Sequence, residues 1–132
     1  MKNGQDLLNE LNQFHDSDLP YYHPLNHDVT YTPGVRHFAF NAGRGAYWLF
    51  DILATEPEIL KAVRDLGIVF VRLTVKDSRA ILVVNADDGE PPLFRRVIGY
   101  TDCPERPVTK DDPNGEWLFY LENMSLLLPG QR

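Results

Sequence analysis

Apolar residues at helical spacing run through the middle of the chain, at residues 45–67 (GAYWLFDILATEPEILKAVRDLG). The first half of this stretch is apolar on nearly every side, with Asp51 as the only charge in eight residues, which predicts a buried helix. Thr55 is placed to cap a second helix, and Glu58 can complete a capping box with it. Gly67 suits the left-handed position that ends a helix. The pattern therefore predicts two helices that meet near Thr55.

Two shorter helices are predicted before this stretch. Thr32 and Pro33 are expected to open one of them, because threonine caps helices and proline fits the first turn. This helix follows a β-favouring run at residues 29–31 and is expected to end before Gly43. The other is an N-terminal amphipathic helix, capped by Asn3. Its apolar positions are Leu7, Leu8, Leu11 and Phe14.

Beyond residue 67 the apolar pattern changes to alternation and short continuous runs, which predict strands. Because these strands follow the helices, we predict an α+β fold with N-terminal helices packed on a four-stranded, mainly antiparallel C-terminal sheet. A last apolar run at residues 125–128 could be an exposed edge strand that pairs with a second copy across a two-fold axis. The four strands are expected at residues 68–75, 80–84, 93–100 and 116–122, the first two forming a hairpin.

Composition adds three expectations. The 132 residues, 43% apolar and 24% charged, match one globular domain spanning 1–132. No apolar run reaches the roughly 20 residues that a membrane span needs, and the first residues show no signal peptide, so we expect a cytoplasmic protein without membrane association. Cys103 is the only cysteine, which excludes an intrachain disulfide and predicts an inert thiol in a loop.

The net charge of −6 argues against a general nucleic-acid-binding protein, because phosphate contacts require clustered Lys and Arg. An acidic surface that competes for the basic site of a nucleic-acid-binding partner is an alternative. The acidic residues are scattered along the chain, however, and this favours a role in solubility. Direct nucleic-acid binding is therefore not expected.

The segment at residues 15–28 is the most polar of the chain and holds three of its four histidines. His23 and His27, with Asp28 alongside, are candidate ligands for a divalent ion. Pro24 favours an extended conformation at His23, so the two imidazoles are not expected to share a helix face. We expect solvated loop histidines and no bound metal. Further oxygen or nitrogen ligands nearby in sequence are His15, Asp16 and Asp18.

Asp51 is the strongest candidate for a functional residue, since a carboxylate in an apolar helix must be paired, protonated or directed into a cleft. One interpretation is a general base or a ligand contact. The other is a structural carboxylate that accepts from a tyrosine hydroxyl, a backbone N–H or Arg44. The structural interpretation is preferred, because the sequence shows no second catalytic group.

Arg95 and Arg96 lie on a predicted strand and must point to opposite faces. Arg96 shares the more apolar face with Phe94, Ile98 and Tyr100, which makes it the candidate partner for Asp51 or for an anionic ligand. The alternative is an arginine at a sheet edge whose charged end reaches solvent.

Aromatic residues and missing motifs complete the functional picture. Tyr21 and Tyr22 fit no core periodicity and are candidates for contact with a protein partner. The chain has no phosphate-binding glycine loop, no nucleophile elbow, no zinc-protease motif and no dinucleotide fingerprint. No cofactor is therefore expected.

Several short motifs keep a fixed order along the chain: YYHPL, YTPGV, GAYWLFD, PPL, YTD and LLLP. Together they resemble a family of small bacterial, plasmid and phage proteins known only as a domain of unknown function. Three departures concern loops, namely Pro33 in place of an acidic residue, an extension at residues 44–45 and a longer loop at 104–115. The resemblance implies no activity and no catalytic residue, although its link to mobile elements favours a role in conflict or replication.

Two hypotheses follow. The first is a non-catalytic binding or interaction protein that uses the polar loop and the exposed tyrosines. The second is a small enzyme or ligand-binding domain with Asp51 and an arginine at a cleft.

Overall fold

The computed structural model describes residues 2–14, 20–87, 89–110 and 112–132. Within these residues the chain forms four α-helices, seven β-strands and a final 3₁₀ turn at Pro129–Gln131. The elements in chain order are α1 (Gly4–Leu11), β1 (Tyr21–Tyr22), β2 (Thr30–Tyr31), α2 (Pro33–Asn41), α3 (Tyr47–Thr55), α4 (Pro57–Leu66), β3 (Ile68–Lys76), β4 (Arg79–Asn85), β5 (Pro92–Ile98), β6 (Glu116–Glu122) and β7 (Ser125–Leu127).

All seven strands belong to one mixed sheet with the order β1-β2-β7-β6-β3-β4-β5. The prediction of an α+β fold is correct, but the prediction of a four-stranded, mainly antiparallel C-terminal sheet is wrong. The N-terminal half contributes β1 and β2, and β2 pairs in parallel with β7. This pairing joins segments about 95 residues apart through Thr30 N–H to Met124 O (2.9 Å) and Thr32 N–H to Leu126 O (3.2 Å). Strands of two residues are too short for alternation to reveal them.

The strand at β7 is interior and does not form an edge. It pairs with β2 on one side and with β6 on the other, so the sequence-based expectation of an edge strand at residues 125–128 is wrong. The edges of the sheet are β1 and β5.

The hairpin predicted between β3 and β4 is confirmed, with seven residue pairs in register from Phe70↔Asn85 to Lys76↔Arg79. Its turn residues Asp77 and Ser78 both have positive φ, 52° and 63°. A two-residue turn with positive φ at both positions is a type I′ turn, and its twist matches that of the two strands it joins.

Three of the four predicted helix ends are confirmed. The Asn3 side chain accepts from Asp6 N–H at 2.8 Å, the Thr32 hydroxyl accepts from Val35 N–H at 3.3 Å, and Gly67 ends α4 with φ of 85°. The predicted cap at Thr55 is wrong. Thr55 is the last residue of α3, its hydroxyl donates to Asp51 O at 2.6 Å, and Glu56 begins α4 without a side-chain cap.

One face of the sheet and the inner sides of the helices form the core. Alternate residues of β3 are buried there, and Phe38 of α2 packs edge-on against Trp117 and Phe119 of β6, with ring centroids 5.2 and 5.0 Å apart. Burying each such aromatic side chain contributes roughly 1.5–3 kcal/mol. None of the described helices is both long enough and apolar enough to cross a membrane.

Helix α3 is buried on one side only, through Leu49, Phe50, Leu53 and Ala54. The prediction of a helix buried on all sides is therefore wrong. Tyr47 is exposed, while Trp48 and Asp51 are half-buried. The outer side of α3 carries Trp48, Asp51 and Ile52, which line a cleft.

Candidate functional site

An open cleft of about 770 Å³ lies between α3 and the end of β5, a size typical of ligand pockets. Its wall on the α3 side carries Trp48, Asp51 and Ile52, which share one face because they are three and four residues apart. Its wall on the β5 side carries Arg96 and Ile98, which share one face because strand residues alternate. Arg44, Tyr100 and Asp102 complete the rim.

A buried histidine holds the carboxylate of this cleft. His23 Nε2 lies 2.9 Å from Asp51 Oδ1. The His23 side chain is 3% exposed, whereas the Asp51 side chain is 43% exposed. The pair therefore connects the core to the surface, with the carboxylate at the surface end.

The other hydrogen bond of His23 determines where its proton lies. Leu25 N–H donates to His23 Nδ1 at 3.1 Å, so Nδ1 carries a lone pair. The proton of the neutral ring is then on Nε2, which donates to Asp51. Asp51 Oδ1 is then the acceptor, and this hydrogen bond fixes the orientation of the carboxyl group.

The segment around His23 is attached to α3 at a second point, where Asn26 Nδ2–H donates to Ala54 O at 2.9 Å. Within the segment, His23 N–H donates to Val29 O at 2.9 Å. These bonds hold the segment at residues 20–28 against α3, and Tyr22 and Leu25 of this segment are exposed.

The partner of Asp51 differs from those expected. The sequence suggests a tyrosine hydroxyl, a backbone N–H or Arg44, and the structure instead brings His23 to it. His23 and Asp51 are each candidates on their own, but they are 28 residues apart, with β2 and α2 between them, and no local pattern predicts their contact. The sequence offers two clues to this contact: a histidine in a loop rich in proline and aromatic residues, and a lone acid in an apolar helix.

Arg96 lies in the same cleft as Asp51 but pairs with another acid. Its Nη2 is 2.8 Å from Glu56 Oε1, and its guanidinium lies 5.0 Å from the centre of the Phe94 ring. Arg95 is exposed and points to the opposite face of the sheet. The assignment of Arg96 to the apolar face therefore agrees with the structure, whereas the expected pairing with Asp51 does not.

The remaining candidates lie outside this cleft. Tyr21 stacks on Tyr31 at 5.5 Å with the Arg36 guanidinium 4.7 Å from its ring centre, and Tyr22 is exposed. His27 is exposed, as expected of a solvated loop histidine, whereas His23 is buried, so that expectation is wrong for His23. Among the described residues no group of three His, Cys, Asp or Glu side chains is arranged to hold a metal ion. His15, Asp16 and Asp18 lie outside the described residues.

Cys103 is buried, as its place beside the core requires. Burial, followed by the negative charge of Asp102, raises the pKa of the Cys103 thiol to about 12. The thiol is therefore protonated at neutral pH and is a poor nucleophile or metal ligand.

The fold and the cleft define an α+β protein with one mixed sheet and with the Asp51 carboxylate held at the wall of the cleft. The chain belongs to a family of unknown function (DUF6876), whose model matches residues 5–132. This confirms the predicted membership of a family of unknown function, and it assigns no activity. Comparison with curated proteins and with solved structures gave no match.

Proposed function

We propose that this protein is a non-catalytic binding protein whose cleft receives the cationic side chain, lysine or arginine, of a protein partner. The observation that carries the proposal is the contact between His23 and Asp51. A buried neutral imidazole that holds a half-exposed carboxylate at a cleft gives a preorganised anionic acceptor, which is the complement of a cation.

The surroundings of Asp51 support a cationic ligand. The hydrogen bonds of the described residues engage Oδ1 and leave Oδ2 for a donor from outside. Trp48 lines the same wall, and an indole face is the best aromatic partner for a cation. A guanidinium or ammonium group can therefore contact a carboxylate and an aromatic ring together.

The charge balance also favours a basic partner. Arg96 is compensated by Glu56 at 2.8 Å. The carboxylates of Asp51 and Asp102 then outnumber the one remaining guanidinium of the cleft lining, that of Arg44, whose backbone N–H donates to Asp102 Oδ2 at 3.0 Å. The net charge of −6 attracts basic proteins over a distance limited by the Debye length.

Exposed aromatic and aliphatic side chains on the segment that is bonded to α3 extend the surface beyond a single pocket. Tyr22 and Leu25 project from the segment that His23 and Asn26 attach to α3. Because the segment is held at two points, these side chains are presented with little loss of entropy on binding.

A catalytic role for Asp51 is the competing function. It is less well supported, because the buried His23 ring accepts at Nδ1 and donates at Nε2, and so has no free nitrogen to pass a proton to solvent. We place the protein in the cytoplasm, supported by a single free thiol that takes part in no intrachain disulfide. The motif resemblance to proteins of mobile elements supports a partner from such a system or its host.

Binding of a defined cation tests the proposal. N-acetylarginine amide is titrated into ¹⁵N-labelled protein and compared with N-acetylcitrulline amide, which has the same shape and no charge. We expect saturable shifts of the Trp48 indole N–H and of Ile52 and Ile98 with the arginine probe, and much smaller shifts with the citrulline probe.

Two variants give the matched comparison. Asp51→Asn keeps an oxygen to accept from His23 and removes the charge, and we expect about tenfold weaker binding. Asp65→Asn removes an exposed carboxylate on α4 that pairs with Lys61, and binding should be unchanged. Equal responses to both probes, or undiminished binding by Asp51→Asn, would contradict the proposal.

A further inference from the structure

Strand β5 is an edge of the sheet and also a wall of the cleft. It pairs with β4 on one side, and no strand of the described residues pairs with its other side. Arg96 and Ile98 of β5 line the cleft. Because side chains alternate along a strand, Leu93, Arg95 and Val97 lie on the opposite face, and all three residues are exposed. The part of the chain that the structure describes thus leaves the outer side of β5 accessible along the cleft.

The β3–β4 hairpin determines which backbone groups of β5 face outward. Arg79 closes the two-residue turn, so its N–H and C=O groups bond to β3. Neighbouring residues of a strand alternate in direction, so Ala80 bonds to β5, where Ile98 is its partner. The pattern repeats at every second residue, so Arg96 and Phe94 also bond to β4. The residues between these partners direct their backbone groups away from β4.

The outward-facing residues are Leu93, Arg95 and Val97, which together present three N–H and three C=O groups at the edge. The bond from Thr101 N–H to Ser78 O at 2.8 Å, just beyond β5, follows the same alternation. An array of this kind is a template for an additional strand. When an extended peptide adds to such an edge, the main-chain hydrogen bonds supply affinity and the alternate side chains supply specificity.

A second copy of this chain is a poorer partner for the edge. Two-fold pairing with the greatest overlap sets Arg95 opposite Arg95 of the other copy, and a shift by one residue sets Arg96 opposite Arg96. Like charges directly opposite each other destabilise a pair of strands. A shift in the other direction sets Val97 opposite Pro91, which has no N–H to donate. The edge therefore suits a strand from a different chain.

The charges beside the edge select the side chains of that strand. An added strand lies about 4.8 Å from β5 and follows its alternation. Its residues opposite Arg96 and Ile98 lie on the cleft side of the sheet, and those opposite Arg95 and Val97 lie on the other side. A cation fits opposite Ile98, which lines the cleft with Asp51, whereas Arg96 is itself positive. An acid fits opposite Arg95, because Arg95 is exposed and forms no ion pair with any residue that the structure describes.

We infer that an extended segment of the protein partner pairs with β5 as an additional antiparallel strand, with a lysine or arginine opposite Ile98 and an aspartate or glutamate opposite Arg95. Antiparallel pairing continues the arrangement of β6, β3, β4 and β5. The identity of the cation rests on the proposed function, since this side chain enters the cleft beside Asp51. Because the added strand runs against β5, the acid follows the cation by three residues.

A peptide with this pattern, acetyl-Thr-Arg-Val-Thr-Glu-Thr-Val-amide, tests the pairing on the full chain. Its glutamate is opposite Arg95, and its two valines are opposite Val97 and Leu93. In titrations followed by ¹H–¹⁵N NMR, we expect shifts and slower hydrogen exchange of the backbone amides of these three residues. Binding should be about tenfold or more tighter than that of N-acetylarginine amide, because the backbone hydrogen bonds add to the contact in the cleft.

Modified peptides provide matched controls. A peptide with the arginine and the glutamate exchanged has the same composition and should bind about tenfold more weakly. N-methylation of the glutamate nitrogen removes a hydrogen bond to Arg95 O and should weaken binding by a similar factor. N-methylation of the threonine before it, opposite Arg96, affects an N–H that points to solvent and should leave binding unchanged.

Variants of the protein separate the edge from the cleft. Arg95→Glu should weaken binding of the peptide about tenfold and leave that of N-acetylarginine amide unchanged, whereas Asp51→Asn should weaken both. A peptide that binds no more tightly than N-acetylarginine amide, equal binding of the two N-methylated peptides, or a dimer through β5 in sedimentation velocity would overturn the strand pairing and leave the proposed function standing. Undiminished binding of the peptide along β5 in Asp51→Asn would contradict the entry of its arginine into the cleft, and with it the proposed function.

Discussion

His23 Nε2 donates to Asp51 Oδ1 across 2.9 Å, and the two side chains differ sharply in their access to water. Because Leu25 N–H occupies Nδ1, the imidazole acts as a fixed donor. The carboxylate consequently keeps one orientation at the wall of the cleft. The loop before β2 thereby becomes part of the site on α3.

Replacement of the buried imidazole should cost more stability than replacement of the carboxylate. His23→Phe keeps a ring of similar size and loses both hydrogen bonds, leaving Leu25 N–H without an acceptor, and should lower the free energy of unfolding by about 2–3 kcal/mol. Asp51→Asn should lower it by less than about 1 kcal/mol, because the amide oxygen still accepts. Urea denaturation measures both values. The opposite order would mean that Asp51 has a structural role that this pair does not explain.

Gly43 supports the rim of the cleft. A Cβ at this position would lie 2.4 Å from Asp102 O, and the residue has φ of 64°. Gly43→Ala should therefore cost about 2 kcal/mol more than the strain of a left-handed alanine alone, which is about 1–2 kcal/mol. Gly89→Ala is the control, since Gly89 has φ of 84° and no atom within 4 Å. Equal losses in thermal or urea unfolding would show that the close approach to Asp102 has no energetic consequence.

Glu10 should respond to pH in a defined direction. Hydrogen bonds from Lys2 and then from His37 lower the pKa of the Glu10 carboxyl below its ordinary value of 4.5. A lowered folded-state pKa means that the group stabilises the fold above the unfolded value and that this contribution is lost as pH falls through the folded value. Because Glu10 is on the surface, the effect is small and is screened by salt. Carbon-detected NMR titration should give a midpoint below 4.5 that rises in Lys2→Met. A midpoint at or above 4.5 in the unmodified protein would contradict the ion pair.

Cys103 should be unreactive in the folded protein. With a pKa of about 12, the thiol has almost no thiolate at pH 8, and its side chain is buried. A thiol reagent such as iodoacetamide should modify it at the rate of unfolding, and modification should become fast in urea. Rapid modification under native conditions would show that the thiol is accessible.

Local patterns predict the elements of this fold better than their pairing. The β3–β4 hairpin is visible because two alternating runs flank a four-residue turn, and the caps at Asn3 and Thr32 are visible because their side chains act within three residues. In contrast, β1 and β2 have two residues each and exist only because β2 finds β7 at the far end of the chain. The mixed sheet therefore depends on pairing between distant segments, which short-range periodicity cannot predict.

In the candidate site, too, the sequence predicts individual residues but not their long-range partners. Asp51 is conspicuous in sequence as an acid in an apolar helix, and Arg96 is placed on the correct face by alternation alone. Their actual partners, His23 and Glu56, come from other segments and are selected by how the segment at residues 20–28 and the start of α4 pack around the cleft. Thr55 illustrates the reverse case, in which a local capping pattern is present but α3 includes Thr55 and the N-cap of α4 is Glu56, one residue later.

The protonation state of His23 tests the central claim most directly. Long-range ¹H–¹⁵N NMR of the imidazole distinguishes the two neutral tautomers and the charged ring. At neutral pH the account predicts a proton on Nε2 and none on Nδ1, with the Nε2 resonance displaced in Asp51→Ala, which removes the acceptor. A proton on Nδ1, or an Nε2 resonance that does not change in Asp51→Ala, would contradict it.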